Sequence, residues 1–221
     1  MTQKLTFSKD TIAVLKNFNT INPNILFKEG HVITTISSGK TILAKYEADE
    51  DFNSSFGIYK LDKLLSVLSF FNEPEVVIDS KSLSIKSNGQ TAKIAFADPS
   101  VLVYPQKDDI ELPSVDAEFD ISENDINTIT KAVAVMELPY VEFHGDGKHL
   151  FLRALDFKNP SGDAYSIEIG KSNKKFSAIF NISNLKLIPA DYKVEVSAKG
   201  ISKFSNEKMT YYVAVEKDSV F

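Results

Sequence analysis

The sequence contains no cysteine, only three histidines, a single arginine, and no apolar run near the roughly 18 residues that a membrane-spanning helix needs. Each shortage removes a class of protein. Without cysteine there is neither a disulfide framework nor a thiolate metal site, and a reducing, cytoplasmic setting fits. A zinc centre of three imidazoles would consume His31, His144 and His149, and no short spacing brings them together. No G-x-S-x-G elbow is present, and nothing marks His31 or His144 as the base of a catalytic triad. Paired carboxylates are a spatial matter that sequence alone leaves open. The expectation is a protein that is not an enzyme and holds no metal or cofactor. Arg153 is the only guanidinium, the side chain best suited to reading guanine or clamping phosphate in two places. Base-specific DNA recognition is therefore not expected. The first residues, "MTQKLTFSKD", lack the apolar core of a secretory leader.

What is present is ordinary globular composition: 221 residues, 43% hydrophobic and 25% charged, with a formal net charge of −5. Up to Ile110 there are 12 basic and 13 acidic residues, and afterwards 13 and 17. Neither half is a basic module. Attraction to a polyanion would have to come from sorting charge between faces of the fold.

The second half repeats the first. Ser8, Ile12, Leu15 and Ile21 lie over Ser122, Ile126, Ile129 and Val135, and "NPNILF" lies over "LPYVEF". "GIYKLDKLL" then lies over "AIFNISNLK", placing Ile58 on Ile179 and Tyr59 on Phe180. Val76 and Ile78 match Val194 and Val196, and Ile94 and Phe96 match Val213 and Val215. The blocks keep their order while the offset drifts by a few residues, as loop insertions would produce.

Within each repeat the pattern reads strand, helix, strands, short helix, strands. β-Branched runs such as "HVITTI" and "TILAKYEA" alternate with turn signals at Ser38-Gly39 and Asn88-Gly89. "KLDKLLSVLSFF" reads as a helix ended by Asn72-Glu73-Pro74, and its counterpart is a helix cut short by Pro189. The predicted fold class is α+β: two structurally similar domains, each with two helices packed on antiparallel sheets. The predicted boundaries are 1–105 for the first domain, 106–116 for a proline-bearing connector and 117–221 for the second domain.

Two segments invite a chemical reading and resist it. "HGDGKH" (144–149) lacks the full phosphate-loop pattern, and Asp146-Gly147 is ordinary hairpin chemistry. "EADED" (47–51) lacks the alternating pattern of a calcium loop and reads as a solvated loop between strands.

The helices carry a different signal. One side of the first helix holds Lys9, Ala13, Lys16, Asn17 and Thr20; the matching side of the third holds Glu123, Asn127, Thr130, Lys131 and Ala134. Lys60 and Lys63 open the second helix and Lys186 closes the fourth. Asp10, Asp62 and Asp125 fall near helix N-termini, where a carboxylate suits the dipole. Any single lysine on a helix exterior is ordinarily a solvated one. Six of them on corresponding elements of a duplicated fold suit loose, sequence-independent contact with a phosphate backbone.

"FSKDTIAVLKNF", "IYKLDKLLSVLS", "FADPS", "NISNLKLIPADYK", "AKG" and "YYVAVEKDSVF" together span the chain. On these segments it resembles the DNA polymerase sliding clamps (processivity factors) of T-even-type tailed bacteriophages. The resemblance implies a DNA-clamp fold and a homotrimeric ring that encircles duplex DNA and tethers the replicative DNA polymerase. It also implies loading by an ATP-dependent clamp loader, recruitment of late transcription factors, and residence in the cytoplasm of the infected bacterial host. On this reading Lys9, Lys16, Lys60, Lys63, Lys131 and Lys186 face DNA, and no membrane is involved. Clamps of this group tend to carry further basic residues on the third helix, where this chain has Ala134.

The resemblance further implies a pocket for a partner's peptide tail, to which Val103, Tyr104, Pro105, Tyr212 and Val213 are assigned, with plain core packing as the alternative. Edge strands for joining subunits are sought in "SVLVY" and "DAYSIEIG". The competing function is a β-rich structural or virion assembly protein whose duplication has no DNA role.

Overall fold

The computed structural model describes residues 2–221 and divides into two compact units, one ending at Asp109 and the other spanning Ile110–Phe221. The first unit contains β1 (Gln3–Leu5), α1 (Lys9–Ile21), β2 (Ile25–Phe27), β3 (Gly30–Ile36), β4 (Ile42–Phe52) and β5 (Phe56–Ile58). α2 (Leu61–Leu68) follows, then β6 (Glu75–Ile78), β7 (Ser82–Ser87) and β8 (Gln90–Ala95). Its strands pair antiparallel in the orders β5-β2-β3-β4 and β1-β6-β7-β8.

The second unit contains β9 (Ala117–Ile121), α3 (Glu123–Met136), β10 (Tyr140–Asp146), β11 (His149–Leu155), β12 (Ala164–Lys171) and β13 (Lys175–Asn181). β14 (Tyr192–Ser197), β15 (Ile201–Ser205) and β16 (Met209–Ala214) complete it. The strand orders are β13-β10-β11-β12 and β9-β14-β15-β16, so the topology of the first unit is repeated strand for strand.

The ladders repeat too. Leu5 pairs with Val76 as Phe119 pairs with Val194, and Leu83 pairs with Ile94 as Ser202 pairs with Val213. One stretch of the sequence alignment slips by a residue. Ile58 lies opposite Ile25 and Phe180 lies opposite Val141, so Phe180 takes the place of Ile58, not of Tyr59. Burial explains it: Ile58 and Phe180 are core residues, whereas Tyr59 is 57% exposed.

α1 forms because Ser8 caps it, its Oγ accepting the Thr11 N–H at 3.1 Å. Thr11, Val14, Leu15, Phe18 and Ile21 then bury one helical stripe against β3, β4 and α2. Pro23 follows the C-cap Asn22 and stops the helix. α3 starts with a reciprocal capping box between Ser122 and Asp125 and ends at Glu137, which is left-handed at φ 53°. The second unit departs from expectation after β13, where the predicted short helix is a single 3₁₀ turn, Ile182–Asn184. Pro189 bars a helical residue before it. The backbone of Ile188 is satisfied elsewhere: its N–H donates to Tyr211 Oη at 3.3 Å, and its carbonyl accepts from Tyr192 Oη at 2.8 Å.

Each core is built on phenylalanine. Phe27 stacks on Phe56 at 4.7 Å beside Phe7 and Phe52, and Phe143 meets Phe119, Phe180 and Phe204 within 6.1 Å. Such ring pairs add about 0.5–1.5 kcal/mol each beyond area burial. "EADED" is not a loop but part of β4. Ala48, Glu50 and Phe52 point inward while Glu47, Asp49 and Asp51 are exposed, the period-2 alternation of a half-buried strand.

The outer edges of β5 and β13 are covered in the same way. Gly57 forms a bridge with Ala97, and Ser177 forms one with Val220. "SVLVY" is no strand. It begins in a 3₁₀ turn, Pro99–Val101, and continues as a strap held to the first unit. Asn22 Nδ2 donates to Val103 O at 2.8 Å, Val103 N–H donates to Asn24 Oδ1 at 3.0 Å, and Lys28 meets Asp108 at 2.6 Å. "DAYSIEIG" does hold an edge strand, β12.

Candidate nucleic-acid interface

The exteriors of α1 and α3 carry the side chains that helical spacing predicts. Lys9, Ala13, Lys16 and Thr20 are exposed on α1, and Glu123, Asn127, Thr130, Lys131 and Ala134 are exposed on α3. The face needs no special signal beyond the buried stripe opposite it. Once Val14, Leu15 and Phe18 face the sheet, positions 9, 13, 16 and 20 face water. In the first unit α1 packs on α2, so Lys9 and Lys16 sit on one helix and Lys60 and Lys63 on its neighbour. Lys60 is the N-cap residue of α2 and Lys63 lies in its first turn; both are exposed.

In the second unit Lys131 stands on α3, but Lys186 is not on a helix. It is half-buried in the segment after the 3₁₀ turn, where the predicted fourth helix is replaced. Of the six lysines, Lys9 and Lys16 thus lie on α1, Lys63 on α2 and Lys131 on α3, with Lys60 at the cap of α2.

The two helices differ in charge balance: α1 is net basic and α3 is not. α1 bears Lys9 and Lys16 against one carboxylate, Asp10, and α3 bears Lys131 against Glu123 and Asp125. Asp125 is engaged by the capping box, its Oδ2 accepting from Ser122 Oγ at 2.6 Å. Meanwhile β4 turns Glu47, Asp49 and Asp51 outward. A lysine ammonium on a flexible stem offers a point charge without fixed geometry, which attracts phosphate without choosing a base.

The residues assigned to a partner pocket do not share one environment. Val103 is 42% exposed, Tyr104 is half-buried, and Pro105, also on the strap, is buried. Tyr212 and Val213 are core residues of β16, at 4% and 0% exposure. Among the described residues no group of three or more His, Cys, Asp or Glu side chains is placed to hold a metal ion. Among the described residues no helix is long and apolar enough to cross a membrane.

The doubled α+β unit, with helices backed by two antiparallel sheets, defines a DNA-clamp fold. The Archaeoglobus fulgidus PCNA, solved with the C-terminal region of FEN-1, superposes with a TM-score of 0.72 over all of both chains at 14% identity. The Helicobacter pylori beta clamp gives 0.68 at 16% identity, covering 97% of this chain and 65% of that one.

Sequence comparison narrows the class. Residues 8–104 match the family described as DNA polymerase processivity factor, and residues 118–217 match the gp45 sliding clamp C-terminal family. The sliding clamp of Enterobacteria phage T4 is 30% identical over 222 residues, covering 96% of this chain and 97% of that protein. Those of Escherichia phage RB69 and Vibrio phage KVP40 are 27% and 28% identical, at similar coverage. The chain belongs to the phage sliding-clamp family of DNA polymerase processivity factors. Sliding clamps are non-enzymatic, and the virion-assembly reading finds no support in these comparisons.

Proposed function

We propose that three copies of this chain close into a ring around duplex DNA, with Lys9, Lys16, Lys60, Lys63, Lys131 and Lys186 turned toward the phosphates. The observation that carries this reading is the exterior of α1 and α3, populated, apart from Glu123, by lysines, small residues and neutral polar groups on matching elements of a duplicated unit. Topology holds the polymer, so the contacts only have to be weak and unspecific, which permits sliding. Three copies bring three times six, or eighteen, such charges into an assembly whose formal net charge is three times −5, or −15. An acidic remainder discourages DNA from wrapping elsewhere.

The division of labour follows the sequence reading: residues 1–105 and 117–221 act as clamp domains joined by 106–116. Copies join through sheet edges. Bridges cover β5 and β13, whereas β8 and β12 end their sheets uncovered among the described residues and are the strands assigned to pairing. The DNA polymerase rides on the ring, an ATP-dependent clamp loader places it, and late transcription factors use it as a platform, all within the infected host cell. The exposed Val103 and half-buried Tyr104 on the strap are the accessible part of the assigned partner pocket.

Native mass spectrometry tests the assembly: the ring has about three times the 24.6 kDa chain mass. The triple variant Lys9→Glu/Lys16→Glu/Lys131→Glu is expected to keep that mass while losing processive synthesis on primed DNA. Undiminished processivity at ordinary salt would refute the lysine assignment. A monomer at every micromolar concentration would refute the ring.

A further inference from the structure

Two turns of the second unit meet at one end of the β13-β10-β11-β12 sheet: Gly147-Lys148, joining β10 to β11, and Ser172–Lys174, joining β12 to β13. Ser172 N–H donates to the Lys148 carbonyl at 3.2 Å. A Cβ on Gly145 would lie 2.6 Å from the Lys174 carbonyl, so these backbones pass too closely for any other residue there. The meeting gathers Lys148, Lys171, Lys174 and Lys175, all exposed, at the same tip of the sheet. Between the second turn and β9 lies a hollow of about 440 Å³, rimmed by Lys171 and Lys174 and floored by Phe119, Leu150 and Phe176.

The neighbouring carboxylates keep their charge, and Asp116 acts electrostatically on Lys174, but none forms an ion pair with Lys148, Lys171 or Lys175. Asp146 accepts the backbone N–H groups of Lys148 and His149, both at 2.7 Å. Glu118 pairs with Lys193 at 3.3 Å, and Asp116 accepts from Ser114 Oγ at 2.6 Å and from the Ala198 N–H at 2.7 Å. Lys174 donates to the Asp116 backbone carbonyl at 2.8 Å. Among the described residues Lys148, Lys171 and Lys175 have no ion-pair partner.

The duplication supplies an internal control. In the first unit the same two turns hold Lys28-Glu29 and Asn53–Ser55; Lys28 is paired with Asp108, and the second turn has no base at all. The fold therefore does not require lysines at this tip.

We propose that this lysine-rimmed tip of the second unit is a docking surface for an acidic peptide segment of a partner protein, with one bulky apolar side chain as its anchor. The anchor enters the hollow over Phe119, Leu150 and Phe176, and flanking carboxylates meet Lys148, Lys171 and Lys174. A phosphate backbone would use the lysines and leave the apolar floor empty, which favours the peptide over nucleic acid. The surface is separate from the helix faces and from the strap, and it touches β12, the strand assigned to pairing, at that strand's last residue, Lys171.

The test uses the full chain and a fluorescein-labelled decapeptide of alternating Asp and Phe, read by anisotropy. Binding in the micromolar range is expected, weakening as salt shortens the Debye length and weakening at least about tenfold in Lys148→Glu/Lys171→Glu. Lys148→Gln/Lys171→Gln removes the charges without adding opposite ones and serves if the glutamate variant misfolds. Tyr104→Ala on the strap is expected to leave the affinity within about twofold of the unaltered chain. No binding up to about 1 mM peptide, equal binding of a Lys-Phe decapeptide, or indifference to both double variants overturns the proposal. So does a short DNA duplex whose binding falls in those variants while peptide binding does not, which would assign the tip to nucleic acid.

Discussion

Thr11 Oγ1 donates a hydrogen bond of 2.6 Å to Glu50 Oε2, tying the first turn of α1 to β4 near its C-terminal end. Both side chains are buried, and the Ser8 N–H donates to the other carboxylate oxygen. A carboxylate is thus set at the N-terminus of the helix whose exterior bears Lys9 and Lys16, where the macrodipole favours it. Replacing Glu50 by Ala leaves a buried hydroxyl and a helix-terminal N–H without their acceptor. A loss of about 1.5–3 kcal/mol is expected, read as a fall of several degrees in Tm. A Tm unchanged by Glu50→Ala would show that the tie contributes nothing.

Gly57 is the point where the strap crosses β5. A Cβ there would lie 2.5 Å from Leu102 Cδ1 and 2.9 Å from the Ala97 carbonyl. Gly57→Ala must therefore push back both the strap and the bridge that covers β5. Destabilisation of about 1–3 kcal/mol is expected, with faster proteolysis between Leu102 and Asp109 than in the unaltered chain. Identical digestion patterns would contradict the crossing.

Lys28 holds the strap by its charge, at 2.6 Å from Asp108 and 3.4 Å from the Pro105 carbonyl. Both members of the pair are partly exposed, so their contribution to global stability is small. Lys28→Ala is expected to raise amide hydrogen exchange locally, across residues 103–109, while moving global stability by less than about 1 kcal/mol. Uniform exchange changes throughout the first unit would argue against a local strap.

Asp146 carries a pH signature. Backbone N–H donation from His149 and Lys148 lowers its pKa from 3.8 to about 2. A folded pKa below the unfolded one means that its stabilisation is fully present above pH 4 and is lost as pH falls from 4 toward 2. Carbon-detected NMR titration should place the Asp146 carboxyl midpoint near 2, and Asp146→Asn should flatten stability against pH over that interval. A midpoint near 4 would mean that the turn does not hold the carboxylate.

The duplication was legible because burial imposes a period on each strand and helix, and two copies of a period can be laid over one another. Ser122 and Asp125 advertise the start of α3, and Asn88-Gly89 advertises the hairpin joining β7 to β8, with both residues at positive φ. The helix around Leu185 misled, because its apolar spacing is genuine but the backbone of Ile188 is satisfied by the hydroxyls of Tyr192 and Tyr211 and not by a helical turn. "EADED" misled for the opposite reason. Four carboxylates and one alanine hide an alternation in which Glu50 turns inward to α1. The helix lysines were readable from spacing alone. The lysines around the 145–148 and 171–175 turns were not, since only strand pairing brings Lys148 next to Ser172.

The replacement of a helix by one 3₁₀ turn has a consequence for any closed assembly of such chains. On the proposed ring, with the helices turned toward DNA, the inner circumference would alternate between sectors backed by two helices and sectors backed by one. A duplex travelling through would meet a corrugated lining, with friction that rises and falls as it rotates. Lengthening the Ile182–Leu185 segment into a full helix would even out that rhythm, and single-molecule diffusion along DNA would register the change.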